Sequence, residues 1–273
     1  MKRLCVLPYG GLANRMRTVV SALNLANRFD ARTRIVWRVT QDFGATFEEL
    51  FEPIEDSLGG VKNMRIPLLV EKFGQRLMPL TQILCRFSGG KAIFNLEKIG
   101  DFEAFKRKAR RWNTVWVRSC SSFYRDKSNT ALEKVFVPKK EIMERARALS
   151  DEAMIGLHIR RGDNLVSKTN SPLSLFIAEI ESELKADSRT RFFLSTDDEE
   201  TERFLRLRYP DAIVCQIGKR NARNDRKGME DALVDFIALS RCRKILGSYW
   251  SSFSEIASEY GQCELKILRG GGV

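Results

Sequence analysis

One histidine, His158, stands in a chain of 273 residues, and the six cysteines (Cys5, Cys85, Cys120, Cys215, Cys242 and Cys263) include no Cys-x-x-Cys pair. Without clustered imidazoles and thiolates, no zinc site is expected. The wide cysteine spacing favours reduced thiols, most of them in apolar runs where cysteine packs as a small core residue. No stretch approaches the roughly 18 apolar residues that span a bilayer. After Met1-Lys2-Arg3 only Leu4–Leu7 is apolar, short of the roughly 7–15 residues of a secretory hydrophobic region. That segment reads as the start of a strand, and the expected location is cytoplasmic. Low-complexity tracts, short repeats, zinc-finger spacing and aromatic RNA-binding signatures are also missing.

What is present is ordinary for a folded protein: 43% hydrophobic and 30% charged residues, enough for one large domain or two of modest size. The formal charge of +12 admits three kinds of partner: nucleic acid, an anionic membrane surface, or a small phosphorylated ligand. Nucleic acid is the weakest and is not expected. Lys106-Arg107-Lys108-Ala109-Arg110-Arg111 reads first as a solvated helix face. Its rival is peripheral contact with the inner face of the membrane, with Trp112 and Trp116 nearby.

Short apolar or β-branched runs at Leu4–Leu7, Arg34–Val39, Thr114–Val117, Met154–Ile159, Arg191–Ser195, Ala212–Gln216, Lys244–Gly247 and Leu265–Leu268 predict strands. Many are near-continuously apolar, which suits a parallel sheet buried on both faces. Helices are predicted over Leu12–Phe29, Lys139–Leu149, Pro172–Lys185, Glu230–Ser240 and Phe253–Tyr260, with Ser171 capping the third and Pro172 in its first turn. Such alternation implies an α/β fold. The stretch Gly59–Arg111 breaks the rhythm and reads as mostly helical or irregular. Two halves are predicted, roughly 1–140 and 141–273, with ligands beyond the carboxyl ends of the strands.

Four constellations carry chemistry. Pro8-Tyr9-Gly10-Gly11-Leu12-Ala13-Asn14-Arg15 joins a strand to a helix, as an anion-binding turn or simply a tight one. It is neither a Gly-x-Gly-x-x-Gly fingerprint nor a P-loop. Gly156-Leu157-His158-Ile159-Arg160-Arg161-Gly162-Asp163 runs a buried strand into two arginines, whose planar forks match phosphate oxygens. Asp163 is a candidate to orient one of them; the plain alternative is a surface Arg–Asp turn. Phe192 to Asp198 ends a strand in Ser195, Thr196 and Asp197, which either bind a sugar or base or cap the next helix. Finally, the helix holding Asp235 leads to a strand and then to Ser251, Ser252, Phe253 and Ser254, hydroxyls at a helix start that either bind phosphate or cap.

Taken together these residues resemble the superfamily of α1,2-, α1,6- and protein O-fucosyltransferases. His158-Ile159-Arg160-Arg161-Gly162-Asp163 is similar to its His-x-Arg-Arg-x-Asp motif, and Gly10 to Arg15 to its glycine-rich N-terminal motif. Ser195-Thr196-Asp197-Asp198 resembles the second donor-domain motif. Ala232 to Ser240, with Gly247-Ser248 and Ser251 to Ser254, resembles the third. The resemblance covers most of 150–261 and the first 30 residues.

It implies a GT-B-like fold of two Rossmann-like domains facing across a cleft, an N-terminal acceptor side (1–140) and a C-terminal nucleotide-sugar side (141–273). It also implies GDP-β-L-fucose as donor, a glycan or glycoconjugate as acceptor, inversion, and no cofactor or metal. By motif, Arg160 would meet the β-phosphate, Asp235 the guanine edge, and Ser251, Ser252 and Phe253 the phosphates. Gly11 and Asn14 would lie near the donor and His158 would shape the nucleotide pocket, with Asp197 among the donor-binding residues and Arg161 and Asp163 supporting the site. Ala13 and Arg15 depart from the family's usual glycine and glutamine. Asp42, Glu48 and Asp163 are candidates for the acceptor base, with nothing to choose among them.

Overall fold

The computed structural model describes residues 1–54, 60–65, 83, 86–87, 89–125, 131–162 and 164–270. Asp163 therefore lies outside the described residues, as does Cys85. The chain divides into two compact units, Met1–Lys139 with Ala222–Met229, and Lys140–Asn221 with Glu230–Val273. No feature of the sequence marks residues 222–229 as grouping with the first unit.

In the first unit β1 (Arg3–Pro8), β2 (Arg32–Val39), β3 (Gly60–Arg65), β4 (Gly90–Phe94) and β5 (Thr114–Ser119) form a parallel sheet in the order β3-β2-β1-β5-β4. Helix α1 (Leu12–Phe29) follows β1, and its apolar residues at helical spacing bury Leu12, Met16, Val19, Leu23 and Ala26. It stops at Asp30, which takes the left-handed conformation (φ 50°) and returns its N–H to Asn27 and Ala26. Such a C-terminal turn satisfies carbonyls that the helix cannot. Trp37 of β2 packs edge-on against Phe43, Phe47 and Phe51, at centroid distances of 5.2, 5.4 and 6.5 Å. Phe47 begins the short helix α2 (Phe47–Leu50), and Phe136 closes the cluster just after α4 (Leu132–Val135). Burying each such ring contributes roughly 1.5–3 kcal/mol.

The reading of Gly59–Arg111 as mostly helical or irregular left out two strands, and residues 59, 66–82, 84, 85 and 88 of it lie outside the described residues. That stretch supplies β3, β4 and helix α3 (Phe102–Ala109). Both missed strands are sheet edges, and Gly60-Val61-Lys62-Asn63-Met64-Arg65 has too few apolar residues to announce itself. Charged residues on an edge guard against further pairing and weaken the hydrophobic pattern at the same time. Helix α3 carries Arg107 and Lys108 exposed, with Ala109 buried beneath them.

In the second unit β6 (Ile155–Ile159), β7 (Phe192–Thr196), β8 (Ile213–Cys215), β9 (Lys244–Ser248) and β10 (Glu264–Leu268) form a second parallel sheet, ordered β10-β9-β6-β7-β8. Every residue of β6 and β7 is buried. Ile155, Leu157, Ile159, Phe192 and Leu194 form a core with Phe176 and Ile180 of α7 (Leu173–Ala186). The other helices are α5 (Lys140–Leu149), α6 (Leu165–Asn170), α8 (Glu199–Arg208), α9 (Arg226–Ser240), which belongs to this unit from Glu230 on, and α10 (Ser252–Gly261). From β6 the chain moves to β7 and β8 on one side, then returns to β9 and β10 on the other. The β6–β9 boundary is thus a topological switch point, where open α/β sheets hold ligands beyond the strand ends.

Two capping expectations fail. Pro172, not Ser171, holds the N-cap position of α7. The Ser171 hydroxyl is used elsewhere, donating to Leu268 O (2.5 Å) and accepting Tyr249 N–H (2.8 Å). Helix α8 is capped by Asp198, which accepts Thr201 N–H at 2.9 Å, and not by Ser195, Thr196 or Asp197. Cys5, Cys215 and Cys242 are buried, the last two as free thiols. Burial pushes Cys215 and Cys242 up to about 12, so both stay protonated core residues.

Candidate functional site

At the carboxyl end of β6 the chain leaves the sheet through Arg160, Arg161 and Gly162. Arg160 N–H donates to Ser248 Oγ of β9 at 3.0 Å, and that hydroxyl donates back to His158 O at 3.3 Å. A serine thus ties the two strands of the switch point together. Asp197, one residue beyond β7, collects three donors: Arg160 Nη1 at 2.5 Å on Oδ2, and the N–H groups of Arg161 (2.7 Å) and Gly162 (3.1 Å) on Oδ1. Burial would raise the Asp197 carboxyl, but these N–H groups and the Arg160 charge hold it below its ordinary value. Gly162 is required by space: a Cβ there would stand 2.6 Å from Asp197 Oδ2.

The two arginines have different jobs. Arg161 is buried, and its guanidinium donates to Ser171 O (2.8 Å) and Lys168 O (3.3 Å), pinning the segment that carries α6. The Arg160 side chain is 18% exposed and is held at the strand end by an ion pair with Asp197. The sequence pointed to Asp163 as the acid that orients an arginine. Asp163 itself lies outside the described residues; among the described residues the carboxylate on Arg160 is Asp197, on the neighbouring strand's exit.

His158 stacks on Phe253, the second residue of α10, with centroids 4.9 Å apart and planes 26° apart. Burial, followed by the Arg160 charge, lowers its pKa to about 3, so the ring is neutral at working pH. Its Nδ1 is buried without a hydrogen-bond partner. Ser251 holds the N-cap position of α10 but makes no side-chain cap bond. The loop before it is fixed from α6: Ser167 Oγ donates to Tyr249 O (2.6 Å) and Asn164 Nδ2 to Trp250 O (3.1 Å). Trp250 adopts φ 59° and is 68% exposed. A left-handed aromatic residue is strained, and no sequence pattern announces it.

Asp235, on α9, is buried. Its Oδ2 accepts Ser195 Oγ (2.9 Å) and Lys219 Nζ (2.7 Å), and its Oδ1 accepts Gln216 Nε2 (3.2 Å). Burial pushes its carboxyl up, while Lys219 and Ser195 oppose that. One helical turn earlier, Asp231 pairs with Arg145 and accepts Arg220 N–H at 3.0 Å. Gln216 and Lys219, on the loop after β8, were missed by sequence reasoning because they belong to no motif.

Gly11 and Asn14 belong to the first unit. Gly11 is the N-cap of α1, and Asn14 Oδ1 is buried without a partner. Arg15 is 1% exposed and holds the glycine turn from inside. Its Nε donates to Gly10 O (2.9 Å), its Nη1 to Arg38 O (2.6 Å), and its guanidinium lies 3.9 Å from the Phe43 ring centroid. Asp42 and Glu48 are exposed residues of the same unit. Among the described residues no group of three His, Cys, Asp or Glu side chains is placed to hold a metal ion, and no helix is long and apolar enough to cross a membrane.

No protein-family model matches the chain, and no curated protein matches it in sequence. Solved structures do. A mutant of Arabidopsis thaliana FUT1 in complex with GDP superposes with a TM-score of 0.63 at 14% identity, over 98% of this chain and 70% of that one. The α-1,6-fucosyltransferase NodZ soaked with GDP-fucose gives 0.58 at 21% identity, over 95% and 93%. POFUT1 in complex with GDP gives 0.58 at 13% identity, over 98% of both chains. The chain therefore has the GT-B-like α/β fold of these fucosyltransferases, with a parallel five-stranded sheet in each of its two units.

Proposed function

We propose that this chain is a glycosyltransferase that moves L-fucose from GDP-β-L-fucose to a hydroxyl group of a glycan or glycoconjugate, with inversion and without a metal ion. The observation that carries the reading is Arg160, presented at the switch point of the second sheet by an ion pair with Asp197 and a backbone bond to Ser248. The fold supports it, because FUT1, NodZ and POFUT1 were seen with GDP or GDP-fucose.

In this reading the acceptor oxygen forms a bond to the fucose anomeric carbon as the bond from that carbon to the β-phosphate oxygen breaks. The acceptor hydroxyl gives its proton to a base. Negative charge grows on the departing GDP, and a cation fixed beforehand stabilises that state more than the ground state. Arg160 is assigned this role. Asp197 holds its guanidinium in place, so little reorganisation is needed during reaction. Ser251, Ser252 and Phe253 begin the ten-residue helix α10, whose N-terminal N–H groups favour phosphate. Asp235 is assigned the guanine edge, because a carboxylate can accept both the ring N–H and the amino group. His158 and Phe253 form a neutral wall beside the arginine. Arg161 supports the turn.

A donor panel tests this. GDP-fucose, GDP-mannose and UDP-sugars are offered with an oligosaccharide acceptor series, and nucleotide release and product mass are followed with and without EDTA. Fucose transfer from GDP-fucose alone, unchanged by EDTA, is expected. Transfer from another donor, or tight GDP binding with no turnover on any acceptor, would count against the assignment.

A further inference from the structure

The carboxylate assigned to the guanine edge already has a cation on it. Lys219 Nζ sits 2.7 Å from Asp235 Oδ2, and the two side chains are only 5% and 6% exposed. Ser195 Oγ and Gln216 Nε2 complete a shell of three donors. The loop is shaped for this contact. Gly218 takes φ +66° in the turn after β8, a conformation glycine adopts without cost, and the next residue folds back over α9. Gln216 anchors the loop's start through Asp231 O (3.1 Å), and Arg220 N–H anchors its end on Asp231 Oδ2.

We infer that Lys219 is an exchangeable counter-ion that gates the base site: it occupies Asp235 in the empty protein and is displaced by a base that brings its own donors. The inference rests on the guanine assignment of Asp235 made above. Guanine offers a ring N–H and an amino group side by side, so it can take over a carboxylate acceptor as the ammonium leaves. The lysine regains hydration that burial had cost it. A base lacking that donor pair would strip Asp235 of its cation and leave a buried charge uncompensated, which is strongly unfavourable. The gate therefore makes rejection of other bases sharper than a vacant carboxylate would. Ser195 does not move in this scheme and keeps its bond to Asp235 throughout.

The gate predicts that ligand exposes a residue instead of covering it. Native protein is labelled with acetic anhydride, with and without saturating GDP, and acetylation is followed lysine by lysine by mass spectrometry, with exposed Lys185 as internal control. GDP binding is measured separately by calorimetry. Lys219 is expected to be protected in the empty protein and acetylated several-fold faster with GDP, while Lys185 is unchanged. If GDP binds and Lys219 labelling is unchanged or slower, the gate is wrong and the donor assignment stands. Absence of GDP binding would remove the donor reading itself, and the gate with it. As a second measurement, Lys219→Met is expected to bind GDP more tightly than the wild type, since nothing is left to displace. Equal or weaker binding by a folded variant would overturn the gate.

Discussion

The two units solve one problem in opposite ways. Each lays five parallel strands around a central first strand and leaves that strand, β1 or β6, through a turn containing glycine, with an arginine in the first turn of the following helix (Arg15) or in the turn itself (Arg160 and Arg161). In the first unit the arginine faces inward. Arg15 is 1% exposed, with hydrogen bonds to two backbone carbonyls and its face against Phe43 and Trp37. In the second unit the work is divided. Arg161 does what Arg15 does, on Ser171 O and Lys168 O, and Arg160 is held at the strand end by a carboxylate. An arginine after a buried strand is thus not in itself a ligand-binding cation. What its donors meet decides: carbonyls make it a clamp, and a fixed carboxylate makes it a presented charge.

That contrast breaks if the arginines are interchangeable in their effects. Arg160→Ala is expected to lower transfer on the order of 10²–10³-fold with little change in thermal midpoint, because Asp197 keeps its two backbone donors. A folded variant with near-full activity would remove Arg160 from the chemistry. Arg15→Ala is expected to do the reverse, costing about 2–4 kcal/mol in denaturant unfolding through lost hydrogen bonds and ring contacts. If it unfolds as readily as wild type, Arg15 is no clamp. Gly162→Ala probes the carboxylate between them. The added Cβ must push Asp197 aside, at about 1–3 kcal/mol, and transfer should fall because Arg160 loses its hold. Crystallography of that variant would show whether Asp197 has moved.

The smallest effect concerns pH. His158 binds its proton in the folded state only near pH 3, whereas an unfolded histidine does so near 6.5. Between these values the unfolded chain carries the extra proton, so stability is lost as pH falls and the contribution is fully present above about 6.5. His158→Asn should flatten the stability profile between pH 6 and 4 by up to about 1.4 kcal/mol per pH unit. Parallel profiles for variant and wild type would mean that the ring is not held neutral.

Much of the fold was legible because the central strands are apolar throughout. Leu4–Leu7, Met154–Ile159 and Arg191–Ser195 read as buried parallel strands, and β1, β6 and β7 are central or next to it. Edge strands β3 and β4 were not legible, since Gly60–Arg65 and Gly90–Phe94 carry no long apolar run, whereas the edge strands β8 and β10 were read from theirs. In the candidate site, sequence singled out Arg160 and Asp197 because each follows a buried strand, and Asp235, within helix α9, through the resemblance of its motif. It did not pair Asp197 with Arg160, since Asp197 reaches Arg160 through sheet pairing of β6 with β7 and not through chain proximity. Lys219 and Gln216 were invisible for a related reason: a loop residue that meets a helix 16 or 19 positions away leaves no local spacing to read.

The central claim is that the end of β6 is a nucleoside-diphosphate site whose cation is Arg160. Calorimetric titration of GDP into wild type and Arg160→Ala, each with and without EDTA, tests it most directly. The account expects sub-millimolar binding to wild type that EDTA leaves unchanged, and binding at least about tenfold weaker in the variant, as befits loss of a charge-assisted phosphate contact. Equal GDP affinity in wild type and a folded Arg160→Ala protein would contradict it.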